Sequence, residues 1–337
     1  MKVGLDISQT AFVGGVSSYT KNLARELGKV KDLEMIYFYS SLRQRYNGDL
    51  KNVKKFPIPP TLLEPLFNVV NLPIELLIGE VDIFHSSDWT QPNTRAKKVT
   101  TYHDIVPIKY PEWSTPEVVK VHQRRLKIVE QRIDKVIAVS EATKKDLLEF
   151  TKIPESKVVV IYEGVDSNFK PQTKERIDEF KKKHNLPDQF ILAIAGVGNR
   201  RNIERLRGAA KDYTLIVTNE LEPRVTYEEM PLLYASASML AYPSFYEGFG
   251  LPVLEAMACG IPVLTSNVSS LPEVGGEAAY YVNPESLDEI KQGIDKLMQD
   301  QALQKDLIAK GFEQVKKFSW EKCAKETYNL YQELING

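Results

Sequence analysis

The sequence predicts an α/β protein made of two doubly wound halves, the second one reduced. Three observations point there. Short apolar runs rich in Val, Ile and Tyr recur along the chain and alternate with amphipathic segments of helical period. Continuous apolar strands between such helices are what a parallel sheet covered on both faces requires. The length of 337 residues exceeds what one hydrophobic core usually supports. Finally, the alternation breaks once, after EGVDSNFKP at 163–171, gives way to a strongly charged segment, and then restarts.

Residues 2–7 read as the first strand, and after the loop 8–15 comes a helix with Val16, Tyr19, Leu23 and Leu27 on one face. Further strands are expected at 35–39, 81–85, 99–102, 135–139 and 158–162, with Ser140 placed to cap a helix over 141–150. Residues 173–184 form a charged helix closed by Pro187, and strands follow at 190–195, 214–218, 239–242, 261–265 and 278–282. The first domain therefore spans 1–166 together with a C-terminal helix at about 318–337, and the second spans 167–317. That last segment is amphipathic, with Tyr328, Leu330, Tyr331 and Leu334 among its apolar residues. Similarity between the halves is too weak to be a repeat. Two such halves leave a cleft between the carboxyl ends of two sheets, where ligands bind.

Composition removes several classes of function. A formal net charge of -1 lacks the basic surface that a nucleic-acid partner needs. The two cysteines, Cys259 and Cys323, lie in apolar or amphipathic segments and read as buried fillers of a reduced, cytoplasmic protein. The opening MKVGLDIS is a strand pattern and not a signal peptide. The most apolar region, 62–78, is interrupted by Glu64, Pro65, Pro73 and Glu75 and cannot span a bilayer. Core packing is the expectation for it, with peripheral membrane contact as the alternative.

The stretch YPSFYEGFGLPVLEAMACGIPVLTS at 242–266 carries the chemistry. It reads as a strand, a loop over 245–250, and a helix with Pro252 at its first position, where a missing N–H costs nothing. Glu247 then falls in the loop and Glu255 in the first helical turn. The backbone N–H groups of Phe249, Gly250 and Leu251 would make an anion site suited to a phosphate. Each carboxylate would accept hydrogen bonds from neutral hydroxyls, such as those of a sugar, at about 1.5–3 kcal/mol per bond. The plainer reading of Glu255 is a residue that stabilises the helix dipole.

The whole string of Glu, Gly, aromatic, Gly, Leu, Pro, then Glu-Ala-Met-Ala and Gly-x-Pro-Val, resembles the signature of the family 4 retaining glycosyltransferases, which have the GT-B fold of two Rossmann-like domains facing across a cleft. The resemblance runs over nearly the whole chain. The segments YHDIVP, VIAVSEATKKDL and VVVIYEGVD look most like bacterial mannosyltransferase-type members. The resemblance implies that Glu255 grips ribose hydroxyls and Glu247 those of the transferred sugar. Gly248, Phe249, Gly250 and Leu251 would lie against sugar and phosphate. Gly14 and Gly15 would let the acceptor-side domain approach the donor phosphate, and His103 would stand against the donor sugar, whereas His85, His122 and His184 are left structural. Arg200 and Arg201 would neutralise the diphosphate, Arg201 standing where the family has lysine. Gly196-x-Gly198 lacks the third glycine of a nicotinamide-cofactor turn, with Arg201 in its slot.

No Asp-x-Asp triplet occurs, so neither a metal nor any other cofactor is expected beside the nucleotide-sugar donor. The leaving group would be met by Arg200, Arg201, the Gly14–Gly15 turn and the helix start near Gly250. The resemblance further implies same-face attack by the acceptor hydroxyl, with retention. In one place the chain departs from the family: 213–238 runs almost directly from one strand to the signature, about two elements short. The second domain is thereby reduced and the nucleotide base left undefined. The expected activity is transfer of a hexose, with mannose the best guess, to a saccharide or lipid-linked acceptor, at the inner membrane face if the enzyme is peripheral. The alternative is a degenerate relative that binds a nucleotide or a partner protein without turnover.

Overall fold

The computed structural model describes every residue except Val13, Ser87 and Val197. The chain divides into two compact units, Met1–Gly164 with Trp320–Gly337, and Val165–Ser319.

The first unit is built on a seven-stranded sheet. Its strands are β1 (Lys2–Asp6), β2 (Glu34–Ser40), β3 (Val53–Phe56), β4 (Ile83–Ser86), β5 (Lys97–Tyr102), β6 (Lys135–Ala138) and β7 (Val158–Val160). They lie in the order β3-β2-β1-β4-β5-β6-β7, and every pairing is parallel. The inner strands are the apolar runs, because a strand covered on both faces exposes no side. Strand β3, which apolar periodicity misses, reads VKKF with both lysines exposed, as an edge strand tolerates. One core cluster joins Phe38, Leu63, Phe67, Ile74, Ile78 and Phe84, and another joins Tyr102, Val129, Val136, Leu147 and Val158. Each such side chain contributes about 1.5–3 kcal/mol on full burial.

The region 62–78 thus enters the core through the helices Pro60–Asn68 and Glu75–Ile78, while Leu62, Val69, Val70 and Leu76 stay exposed. Among the described residues no helix is long and apolar enough to cross a membrane. The C-terminal helix Trp320–Asn336 packs on the helix Gly15–Leu27, with Trp320, Cys323, Leu330 and Tyr331 buried. Ser140 caps the helix Glu141–Phe150, its side chain accepting from the Thr143 N–H at 3.0 Å.

The second unit carries β8 (Ile191–Ala193), β9 (Leu215–Val217), β10 (Met239–Tyr242), β11 (Val263–Ser266) and β12 (Tyr280–Val282), in the order β12-β11-β10-β8-β9 and again all parallel. Ile191, Leu206, Val217, Met239, Leu264, Ile290, Ile294 and Leu297 form its core. Between β8 and β10 the chain builds the helix Ile203–Ala209, the strand β9 and the helix Met230–Ser236, joined through short 3-10 turns at Asn199–Arg201, Thr218–Glu220 and Tyr227–Glu229. In each unit all strands run the same way, so the loops after their carboxyl ends gather on one edge, the edge at which open parallel sheets bind ligands.

Candidate functional site

In the second unit the loops after β8, β10 and β11 bring the predicted residues together. The signature helix runs Leu251–Cys259 with Gly250 as its N-cap at φ +111°. Pro252 is therefore the second helical residue, not the first. Glu255 is the fifth and lies beyond the first turn, which holds no acidic residue. This corrects the expected register by one position, because the chain enters the helix through the left-handed Gly250. It also sets aside the dipole reading of Glu255, since the dipole acts over the first turn. A Cβ at Gly250 would meet Leu271 Cδ2 at 3.0 Å, so glycine serves here for both backbone angle and space.

Glu247 is buried, and Arg201 Nη1 stands 2.8 Å from its Oε1, with the two side chains 12% and 6% exposed. The approach is an ion pair without hydrogen-bond geometry: Arg201 Nε and Nη1 and Glu247 Oε1 are all buried with no hydrogen-bond partner. The Arg201 guanidinium also lies over the Tyr242 ring, 4.6 Å from its centre. Burial pushes the Arg201 pKa down, and the nearby Glu247 charge opposes that shift in part. Arg201 follows the turn at Gly196, where an added Cβ would stand 2.7 Å from Arg201 Cγ and Nε, so the bare backbone makes room for the side chain. Arg200 precedes it in the short helix Asn199–Arg201, and its carbonyl accepts from the Phe245 N–H at 2.9 Å. Glu255 accepts a hydrogen bond at 2.7 Å from the hydroxyl of Tyr234, a neutral donor of the kind expected for it. Burial, followed by the Glu255 charge, drives the Tyr234 pKa well above its ordinary value, so the hydroxyl remains a donor.

Serine hydroxyls, those of Ser266 and Ser270 buried, hold this loop. Ser269 Oγ accepts from the Glu247 N–H at 3.0 Å, and Ser270 Oγ donates to the carbonyls of Glu247 at 2.9 Å and Phe249 at 2.7 Å. Ser266 Oγ donates to Ser244 O at 2.6 Å. Asn202, in the left-handed region at φ +59°, donates from Nδ2 to Pro243 O at 3.0 Å and Pro284 O at 2.7 Å. It thereby ties together the loops after β8, β10 and β12. Sequence reasoning passed over these residues; the run TSNVSS at 265–270, placed directly after an apolar strand, was the available signal. Phe249 is buried with its ring edge-on to that of Phe318, centroids 5.8 Å apart, while Leu251 is buried and Gly248 continues the loop.

The first unit holds the other predicted residues. Gly14 is the N-cap of the helix Gly15–Leu27, at φ +139°, and an added Cβ there would meet nothing within 4 Å. The glycine thus supplies a backbone angle in open space. His103 follows β5, and its Nδ1 lies 2.9 Å from Glu163 Oε1, in the loop after β7. Its ring meets Tyr19 edge-on, 4.7 Å between centroids. Burial disfavours the His103 charge, but the Glu163 hydrogen bond and charge, aided by Asp88 and Asp104, prevail and raise its pKa. Glu163 is a functional candidate that the sequence did not single out.

The remaining histidines are packed groups. His85 is buried between Tyr331 Oη at 2.6 Å and Thr101 Oγ1 at 2.8 Å, and burial lowers its pKa to about 3. His122 lies near Trp89, and burial pulls its pKa down, and His184 is buried beside Phe180. Among the described residues, no group of three or more His, Cys, Asp or Glu could hold a metal ion. Chemically, the arrangement in the second unit offers guanidinium cations to an anion and two carboxylates to hydroxyls.

Residues 143–314 match the family model described as Glycosyl transferases group 1, and residues 13–169 match that of Glycosyltransferase Family 4. The chain is 31% identical to the O-antigen chain mannosyltransferase B of Escherichia coli, with 74% of each chain covered. It is 30% identical to the serotype-specific mannosyltransferase WbdA of Escherichia coli over 71% of its own length, and spans 34% of that longer protein. In fold it superposes on the sucrose-phosphate synthase of Thermosynechococcus elongatus with a TM-score of 0.78 at 20% identity, covering 99% of both chains.

Proposed function

Because the chain belongs to the group 1 glycosyl transferases and has their GT-B fold, we propose that it is a retaining hexosyltransferase. It moves a hexose, mannose by preference, from a nucleoside diphosphate sugar to a saccharide or lipid-linked acceptor. The observation that carries this reading is the buried set of Arg201 Nε and Nη1 with Glu247 Oε1, polar atoms without hydrogen-bond partners at the ligand-binding edge of a parallel sheet. The two charges are paired at 2.8 Å but the hydrogen-bonding capacity of these atoms is unused, and a bound polar ligand would take it up.

In this reading Arg200 and Arg201 receive the diphosphate as negative charge grows on it, which speeds departure because the cations are already in place. Glu247 accepts from hydroxyls of the transferred sugar and Glu255 from the ribose, Tyr234 holding the latter carboxylate in position. The backbone at Gly248, Phe249, Gly250 and Leu251 attends the sugar and phosphate, as do Gly14 and Gly15, and His103 attends the sugar. Mannose is favoured by the names of the two relatives above, both mannosyltransferases. A metal-free reaction is favoured by the lack of an Asp-x-Asp triplet.

The test is release of nucleoside diphosphate from uridine, guanosine and adenosine diphosphate sugars, with chelator present, beside a melting-shift panel of the same compounds. Turnover of one donor with chelator is the expected result. A donor that raises the melting temperature without being cleaved supports a binding protein instead. Loss of turnover on chelation refutes the metal-free reaction.

A further inference from the structure

Glu163 is a buried carboxylate whose hydrogen bond is to one imidazole. It sits in the loop after β7, its side chain 4% exposed, and its Oε1 lies 2.9 Å from His103 Nδ1 across 60 residues of sequence. An isolated carboxylate is costly to bury, so a chain that places one against a single ring has a use for the pairing. The ring is fixed in two ways, by this bond and by the edge-on Tyr19 contact at an interplanar angle of 83°. Nδ1 is thereby the protonated nitrogen. Nε2 has no hydrogen-bond partner among the described residues, and His103 borders a narrow cavity with Asp6, Tyr19, Thr20, His85 and Asp88.

We propose that Glu163 is the positioning residue of His103: it locks the ring with Nδ1–H on the carboxylate and keeps it an imidazolium, whose Nε2–H donates to an oxygen of the sugar diphosphate. No proton is transferred; a fixed positive donor meets an oxygen on which negative charge grows, which is electrostatic stabilisation in the sense of an oxyanion site. The Glu163 carboxylate dominates the field at the ring. Asp104, beside the histidine, and Asp88, after β4 and itself paired with the buried Arg125 guanidinium at 2.7 Å, add smaller contributions that favour the cation. His85, on β4, is kept neutral by burial, so it adds no competing charge at neutral pH. Tyr19, on the helix Gly15–Leu27, and Cys323, on the C-terminal helix, are held protonated by burial and add no negative charge. A neutral acceptor such as Asn or Gln in place of Glu163 would fix the same tautomer but not the charge.

This inference rests on the glycosyl-transfer reading for its substrate, and the experiment separates the two. In Glu163→Gln the Nδ1–H keeps an acceptor and loses its counter-charge. The His103 titration, followed by NMR on the ligand-free protein, is expected to move to lower pH by about 1 unit or more. The alkaline limb of the kcat profile is expected to move down with it, while KM for the donor changes less than about threefold. Glu163→Asp, which restores the charge, is expected to recover most of the shift; if the Gln variant fails to fold, the wild-type titration decides, since a His103 that titrates at or below the ordinary histidine value overturns the proposal. An unmoved His103 titration, or an unmoved kcat profile in an active variant, overturns the proposal. Wild-type protein that cleaves no sugar nucleotide refutes the transferase reading and with it the substrate contact, whereas the titration decides the charge relation by itself.

Discussion

Replacing Glu247 by Gln removes one charge from a buried pair and tests the site at its centre. Arg201 Nη1 and Glu247 Oε1 are 2.8 Å apart in side chains only 12% and 6% exposed. Removing one partner of a buried ion pair costs about 3–5 kcal/mol, because the other charge is left uncompensated. Here the guanidinium keeps the Tyr242 face 4.6 Å away and some solvent, which places the loss near the lower end, about 3 kcal/mol. At about 2–4 °C per kcal/mol that is a fall of roughly 6–12 °C in the melting of the second unit. Catalysis is affected separately. A hydrogen bond from a sugar hydroxyl contributes about 1.5–3 kcal/mol to a charged acceptor and about 0.5–1.5 kcal/mol to the Gln amide that replaces it, so turnover is expected to slow by the difference of about 1–1.5 kcal/mol, roughly 5- to 13-fold. If the bond strengthens as the sugar loses its leaving group, the loss falls on kcat and leaves KM nearly unchanged. The assay is nucleoside diphosphate release with kcat and KM measured separately, beside a thermal scan of the free protein. A variant with wild-type kcat refutes the role given to Glu247. One with wild-type melting refutes the electrostatic weight given to the pair.

Glu255→Ala is expected to raise KM for the donor by roughly 10- to 150-fold, and Glu255→Gln by less, since Gln still accepts from Tyr234; equal donor affinity in titration calorimetry would contradict a ribose contact. Gly250→Ala forces a side chain into φ +111° and against Leu271, and is expected to destabilise by about 1–3 kcal/mol in urea unfolding; no change would mean that the loop relaxes freely. His85 has a native pKa of about 3 against an ordinary 6.5, so below 6.5 the unfolded chain binds a proton that the native state does not. Its contribution is complete above 6.5 and is lost as pH falls, by about 2 kcal/mol at pH 5. Urea unfolding at pH 7 and pH 5 should show a stability loss on acidification that is smaller by about that amount in His85→Asn than in the wild type. His103, with a raised pKa, acts in the opposite sense: its contribution is complete below the ordinary histidine value and is lost as pH rises through the native one.

The parallel sheets, the helix after Ser140, the capping glycines and the loop–helix around Glu247 were legible because each depends on residues near one another in sequence. Apolar runs form inner strands wherever both faces are covered, and Gly250 enters the left-handed region that a helix start there requires. The signature string likewise identified the family, since its glycines, proline and glutamates keep their spacing within one loop and helix. Strand β3 was missed because an edge strand with exposed lysines carries no apolar signal. Glu255 was misplaced by one position because helix entry depends on the backbone angle at Gly250, which residue types constrain only loosely.

What the sequence determined by itself is therefore local: which segments are strands, where the loops fall, and which residues carry charge at the edge where ligands bind. Which of those residues face one another was decided only by the tertiary structure. The order β12-β11-β10-β8-β9 puts the loop of Arg201 beside that of Glu247, and the order of β5, β6 and β7 lets Glu163 reach His103. Such pairings follow from the lateral packing of strands distant in sequence, which is set by the burial of whole faces and leaves no periodic trace in the residues that meet.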